Sequence, residues 1–179
     1  MIFMEKLDKI IACLRQMGMK PKVDNFQHKL IIQKTVCLFE LMGMDLKYGY
    51  SLYVRGPYSP ALAKEMHEQR GNVENLKTGC KLTAKEVETA EKVAEASDNL
   101  NPEMLEIMAT YSFISRRLGK GAKESLIELK RLKPFYSEAK IAVGVSRAKG
   151  LFAPNEGEIM KMKKEFGEIE GAAVSDSRE

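Results

Sequence analysis

Residues that could bind a metal or act as nucleophiles are few in this chain and lie far apart. The three cysteines are Cys13, Cys37 and Cys80, and the two histidines are His28 and His67. No CxxC pair occurs, whereas a structural zinc site needs about four clustered ligands. We therefore expect buried free thiols, as is typical of a reducing compartment, and neither a metal site nor a cofactor.

The sequence also contains no motif of a known catalytic site. The glycines of "RLGKGAK" lack the GxxxxGK[ST] spacing of a phosphate loop, and neither GxSxG nor HExxH occurs. Carboxylates such as Glu124 and Glu128 lie beside Lys123 and Lys130, which is typical of a solvated helix face. We predict that the protein has no catalytic residues and is not an enzyme.

Positive charge is concentrated in residues 116–150, which hold ten basic and three acidic side chains, whereas the whole chain carries a net charge of +4. Such a stretch could bind nucleic-acid phosphates or an acidic protein. It could equally consist of surface lysines and arginines whose stems cover helix exteriors. The nucleic-acid candidates are Arg116, Arg117, Lys120, Lys123, Lys130 and Arg131, and the stretch continues through Lys133, Lys140, Arg147 and Lys149.

The segment "LYVRGPYSPAL" at 52–62 interrupts a pattern that is otherwise helical. Tyr50, Leu52 and Val54 alternate with Ser51, Tyr53 and Arg55, which predicts a strand. Gly56-Pro57 predicts a turn. Ser59 and Pro60 are suited to the N-cap and the first position of a helix. The segment is therefore predicted to be a strand that turns sharply into a helix.

An open strand edge at this corner could accept a strand from a partner protein. The protein-interaction candidates are Tyr53, Arg55, Tyr58 and Arg70. The alternative is that the tyrosines only cover the corner. Eleven methionines are expected mainly in the core, although an adaptable hydrophobic groove is a second interpretation.

The elements that position these residues are read from apolar periodicity and capping residues. Asp24 and Gln27 have the spacing of a capping box at the start of a long apolar helix. A second apolar helix begins after Asn101. Both helices are expected to lie at the centre of the fold. A small hairpin or wing is predicted at 73–82. The helices are predicted at 4–17, 24–42, 60–69, 84–97, 101–118, 122–132, 138–149 and 159–169.

One combination of these features is similar to a known family. A helix that carries Ile32-Gln33-Lys34 before an apolar run, then a strand, then "GPYSPAL" at 56–62, resembles the YwgA-like proteins of bacteria and archaea. These in turn are similar to the Panacea domain of SocA-type antitoxins. The segments "CKLT" at 80–83 and "ELKRLKPFYSEAKI" at 128–141 also look like this group, and the resemblance covers about residues 25–150.

The resemblance implies a mainly α fold, namely a helical bundle with a small β-element that is winged-helix-like. We expect one domain over 1–170 and a flexible C-terminal tail at 171–179. No apolar run reaches the roughly 18 residues that span a bilayer, and the start of the chain does not resemble a signal peptide, so a cytoplasmic location is expected.

Antitoxin relatives bind a toxin and can act as adaptors for a protease. The resemblance therefore implies a non-enzymatic protein-interaction module with a toxin-like or protease-adaptor-like partner. The alternative is a nucleic-acid-binding transcriptional regulator that uses residues 116–149. A DNA-binding winged helix needs two helices between its first strand and its wing, and residues 60–72 have room for about one, which weakens that alternative.

Overall fold

The computed structural model of the chain describes residues 2–71, 73, 79–154, 160 and 164. Within them, helices predominate and one small antiparallel sheet is present, so the predicted helical bundle with a small β-element is confirmed. The elements are α1 Ile2–Gln16, α2 Phe26–Leu41, β1 Ser51–Tyr53, β2 Gly56–Tyr58, α3 Pro60–Glu68, α4 Ala84–Ala96, α5 Pro102–Ser112, α6 Ala122–Leu132 and α7 Glu138–Leu151. A π-helical turn, Phe113–Arg117, continues α5.

Side-chain caps define most of the helix starts. The side chains of four predicted caps each accept a hydrogen bond from a first-turn N–H group, and Thr83 and Glu86 form the predicted capping box. These confirmed caps are Ser59, Thr83, Asn101 and Ser137.

The predicted cap of α2 was wrong by one residue. The side chain of Asn25, not of Asp24, accepts a hydrogen bond from the backbone N–H of His28 at 2.9 Å. Asp24 instead pairs with the His28 ring at 2.6 Å. An amide oxygen at Asn25 satisfies the first turn equally well, so α2 begins at Phe26.

The core is built around the two helices that the sequence marks as central. Residues 30–39 of α2 and residues 104–112 of α5 are buried at every position, so each helix is covered on all sides. Helix α5 packs against both α2 and α7, while α1 packs against α4. Phe26, by contrast, is 62% exposed, although the sequence suggested that it belongs to the apolar run of α2.

The corner contains a hairpin rather than one strand. Strands β1 and β2 pair antiparallel, with Tyr53 opposite Gly56, and the chain reverses at Val54 and Arg55. The turn predicted at Gly56-Pro57 was therefore wrong, and Val54, predicted to be part of the strand, lies in the turn and is 73% exposed. The reversal comes earlier because Gly56, with a φ of +87°, supplies a left-handed residue that ends the turn.

Several predicted features fall on residues outside the described ranges. Of the predicted wing at 73–82, only residues 73 and 79–82 are described. Of the predicted final helix at 159–169, only Met160 and Lys164 are described, and the whole of the tail at 171–179 lies outside. No helix in the described part of the chain has the length and apolar character needed to cross a bilayer.

Gly144 brings α7 into close contact with α5. A Cβ atom at this position would lie 2.4 Å from Cγ2 of Ile107, whereas a Cβ atom at Gly150 on the same helix would meet nothing within 4 Å. We expect Gly144→Ala to lower the free energy of unfolding by about 1–3 kcal/mol through overpacking. Gly150→Ala is the matched control and should be neutral or stabilising by up to about 1 kcal/mol. Urea unfolding checks both, and equal effects would contradict the packing.

Candidate functional site

A buried cluster of charged side chains joins the β-hairpin to the helical bundle. Lys34 of α2 and Glu106 of α5 are each 2% exposed, and Lys133, the C-cap of α6, is fully buried. The Lys133 ammonium group pairs with the Glu106 carboxylate and donates a hydrogen bond to the Val54 carbonyl at 2.7 Å. Lys34 donates to the Pro57 carbonyl at 2.7 Å. Both lysines therefore hold backbone carbonyls of the hairpin.

Gln33 holds the residue that follows the hairpin. Its Nε2 donates to the carbonyl of Ser59, and its Oε1 accepts from the Ser59 N–H, both at 2.9 Å. The side-chain amide thus pairs with the backbone as a neighbouring strand would. The Gln33-Lys34 pair and the "GPYS" segment therefore form one structural unit.

The hairpin can approach α5 only because residue 56 is glycine. A Cβ atom at Gly56 would lie 2.2 Å from Oγ1 of Thr110 and 3.7 Å from Nζ of Lys34. The Thr110 hydroxyl donates to the Glu106 carbonyl at 2.6 Å. The close approach and the left-handed conformation both require glycine here.

Burial shifts the titration of the cluster. Desolvation lowers the pKa of Lys34 to about 8, although the Glu106 carboxylate opposes this shift. Desolvation also lowers the pKa of Lys133, against the stabilising effect of its ion pair with Glu106. Arg55 lies 3.9 Å from the same carboxylate. Three cationic side chains thus surround one carboxylate, which makes this region electropositive.

A groove of about 300 Å³ opens above the cluster, between α2, α3 and the hairpin. The buried side chains Leu30 and Met66 contribute apolar surface, and Gln33 and Lys34 lie beside them. No carboxylate is among the described residues that line the groove. The more exposed lining residues are Phe26, Lys29, Arg55, Tyr58 and His67.

Exposed aromatic side chains surround this groove. The Arg55 guanidinium lies over the Phe26 ring, 5.1 Å from its centroid, and the rings of Tyr53 and Tyr58 meet edge to face with centroids 5.7 Å apart. The structure therefore brings together three of the predicted protein-interaction residues. Arg70 is exposed in the turn after α3 and does not line the groove.

Among the predicted interaction residues only Arg55 and Tyr58 line the groove, and the missed lining residues include Phe26, Lys29, Met66 and His67. A signal was available for part of this set. Met66 and His67 lie on α3, where they follow Ala63 by three and four residues and therefore share its helix face. Nothing in the sequence indicated that this face would meet the first turn of α2.

The basic stretch at 116–149 is not a continuous cationic surface. Lys120 pairs with Glu124 at 3.3 Å, and Lys130 and Arg131 pair with Glu138 and Glu128, each at 2.5 Å. Lys133, grouped with this stretch at the sequence level, is buried instead. Arg116, Arg117 and Lys123 are exposed. Three of the six nucleic-acid candidates are therefore neutralised by neighbouring carboxylates.

Cys13 and Cys37 are buried as predicted, whereas Cys80 is only partly buried. Burial raises the pKa of the Cys13 and Cys37 thiols. Throughout the described ranges, no group of three or more His, Cys, Asp or Glu side chains is placed to hold a metal ion.

Comparison of the chain with protein-family models, with curated proteins and with solved structures found no match.

Removing the carboxylate of the buried cluster should lower the free energy of unfolding far more than removing an exposed carboxylate. Glu106→Gln leaves Lys133 buried without a counter-ion, and we expect the free energy of unfolding to fall by about 3–5 kcal/mol. Glu103→Gln, on the same helix, breaks the exposed pair with Lys140 and should cost about 1 kcal/mol or less. Urea unfolding at pH 7 measures both.

The double variant Glu106→Gln/Lys133→Met separates charge from packing. It removes both charges of the pair and should recover part of the stability lost in Glu106→Gln, because the buried Lys133 cation is gone while the buried Lys34 remains. If Glu106→Gln and Glu103→Gln cost the same, the cluster does not secure the hairpin as described.

The lowered pKa of Lys34 predicts a pH dependence of stability. Between about pH 8 and 10.5 the unfolded state binds more protons at this lysine than the folded state, so its contribution to stability rises with pH. The wild type should gain about 1–3 kcal/mol relative to Lys34→Met across this window. The raised pKa values of the buried groups Cys13, Cys37 and Tyr48 act in the opposite direction, and the effect of Cys37 also depends on the Lys34 charge. If the free energies of unfolding of the wild type and of Lys34→Met change in parallel with pH, Lys34 does not have a lowered pKa.

Proposed function

We propose that this chain is a non-enzymatic protein-interaction module, antitoxin- or adaptor-like as the family resemblance implies. Its binding surface comprises the groove between α2, α3 and the hairpin, with the aromatic side chains around it. The occupant is a short segment of a partner protein that carries an apolar side chain next to carboxylates.

The observation that carries this proposal is the chemistry of the groove lining. Leu30 and Met66 offer an apolar floor, and a methionine adapts to side chains of different shape. The lining also contains basic side chains, namely Lys29, Arg55 and His67, and no carboxylate among the described residues. A partner segment with both apolar and acidic groups is complementary to this arrangement.

The corner also meets a second requirement of a recognition surface, which is rigidity. Gln33 and Lys34 fix the backbone on either side of Tyr58 through hydrogen bonds to Pro57 and Ser59. A surface that is fixed before binding loses little conformational entropy when a partner docks. Exposed aromatic side chains and an arginine are the residue types that contribute most to binding energy at protein interfaces.

The nucleic-acid alternative has less support. Lys120, Lys130 and Arg131 form ion pairs with glutamates, so binding a phosphate backbone would require those pairs to be exchanged. Counterion release, which dominates nucleic-acid affinity, needs several cations that act together.

Phe26 and Phe135 offer a matched pair of substitutions, because both phenylalanines are 62% exposed and only Phe26 lines the groove. The probes are fluorescent ten-residue peptides with a central Leu or Phe flanked by Asp and Glu, and the same peptides with Lys in place of the acids. We expect Phe26→Ala and Arg55→Gln to weaken binding of the acidic peptides about tenfold or more, which is the size of an interface hot-spot effect.

Phe135→Ala should leave that affinity unchanged, and the lysine peptides should not bind. Fluorescence anisotropy gives the affinities, and NMR chemical shifts locate the contact. If acidic and basic peptides bind equally, or if Phe135→Ala weakens binding as much as Phe26→Ala, the groove is not the interaction surface.

A further inference from the structure

A second pocket, of about 440 Å³, lies between the end of α5, the start of α6 and the end of α7. It shares no lining residue with the groove, so what it binds does not depend on the function proposed for the groove. Its lining is mainly polar and cationic. It includes Ser112, Ser115, Arg116, Ala122, Lys149 and Phe152.

Ser112, which lines this pocket, has an unused hydrogen-bonding group. The residue is 1% exposed, and its Oγ has no hydrogen-bond partner in the described part of the chain. Buried hydroxyl groups are nearly always paired, so an unpaired one that lines a pocket points to a ligand. A serine hydroxyl can donate to an anionic oxygen.

The π-helical turn positions two further polar residues beside Ser112. The N–H of Leu118 donates to the carbonyl of Phe113, five residues back, at 3.1 Å. This extra residue per turn is rare and is often found at functional sites. Here it presents Ser115 and Arg116 to the same pocket that Ser112 lines.

The two cations of the pocket are held by aromatic rings rather than by carboxylates. The Arg116 guanidinium lies 4.0 Å from the centroid of Phe152, and the Lys149 ammonium lies 6.0 Å from that of Tyr111. Within the described residues, neither cation forms an ion pair, in contrast to most of the basic stretch. Stacking uses the face of the guanidinium and leaves its in-plane N–H donors available to an oxyanion.

Helix α6 begins at this pocket with Ala122. Its N-cap is Gly121, which offers no side chain to the first-turn N–H groups. Such an N-terminus attracts anions through its free N–H donors and the positive end of the helix dipole. This feature adds to the donors supplied by Ser112 and Arg116.

We infer that this pocket binds the phosphoryl group of a small organic phosphate. The two cations match a dianion, and the Ser112 hydroxyl supplies an additional donor. One water molecule takes about 30 Å³, so 440 Å³ leaves ample room for an organic part next to the phosphoryl group. The volume lies within the usual range of small-molecule sites, and the rings of Tyr111 and Phe152 provide apolar surface for the organic part.

An NMR titration of the full chain at constant ionic strength tests this inference, with inorganic phosphate and phenyl phosphate as probes. We expect saturable shifts in residues 112–122, with phenyl phosphate binding more tightly than inorganic phosphate. Ser112→Ala should weaken binding about threefold or more while Tm stays constant or rises, because the wild-type hydroxyl makes no internal hydrogen bond. A purely structural role for Ser112 would instead lower Tm.

Two lysines of α7 provide a matched comparison. Lys149→Gln removes a lining cation and should weaken binding about tenfold, as expected for a charge-assisted contact. Lys140→Gln removes the same charge from the same helix outside the pocket and should change the affinity less than about twofold. Equal losses in these two variants, or wild-type affinity in Ser112→Ala, would overturn the inference.

A duplex DNA probe completes the experiment. If the duplex binds while both small phosphates fail to bind, the pocket is not a small-molecule site, and the basic stretch acts on nucleic acid instead. Because peptide binding to the groove is measured separately, failure here leaves the protein-interaction proposal unaffected.

Discussion

The buried pair between Lys133 and Glu106 is the interaction on which the corner of this protein depends. Two charges removed from water are tolerated only when they are paired and their remaining donors are used. The Lys133 ammonium group meets both conditions, because it also donates to the Val54 carbonyl. Lys34 makes the corresponding bond to Pro57 on the other strand. A three-residue strand pair that would be marginal alone is thereby fixed on the bundle.

Charge is distributed over this protein in two distinct ways. On several helix surfaces a lysine or arginine has a glutamate partner nearby, as in the pairs made by Lys92, Lys120 and Arg131. The groove and the second pocket differ, because the described residues that line them include cations and no carboxylates. The net positive charge of the chain is small. Because cations without neighbouring carboxylates lie at these two concave sites, we expect anionic ligands to bind there and not along one face of the protein.

Local signals in the sequence were sufficient to predict most helix boundaries. The caps at Ser59, Thr83, Asn101 and Ser137 act within their own first turns, so no distant contact is needed to recognise them. The hairpin turn was misplaced because its position depends on contact between Gly56 and Thr110, which are far apart in the chain. Lys133 was grouped with surface lysines because its partner Glu106 lies 27 residues earlier. The candidate site was therefore only partly predictable: Tyr53, Arg55 and Tyr58 were found, whereas the contribution of α2 was not.

The hydrogen bond from Lys133 to Val54 spans 79 residues of sequence. Helices form from local contacts within microseconds, whereas closing so long a loop is slow and carries a larger entropic cost. During synthesis the hairpin leaves the ribosome well before the end of α6 does. The corner therefore lacks its hydrogen bond from Lys133 until about three quarters of the chain has been made, and during that interval Glu106 has no buried counter-ion from α6.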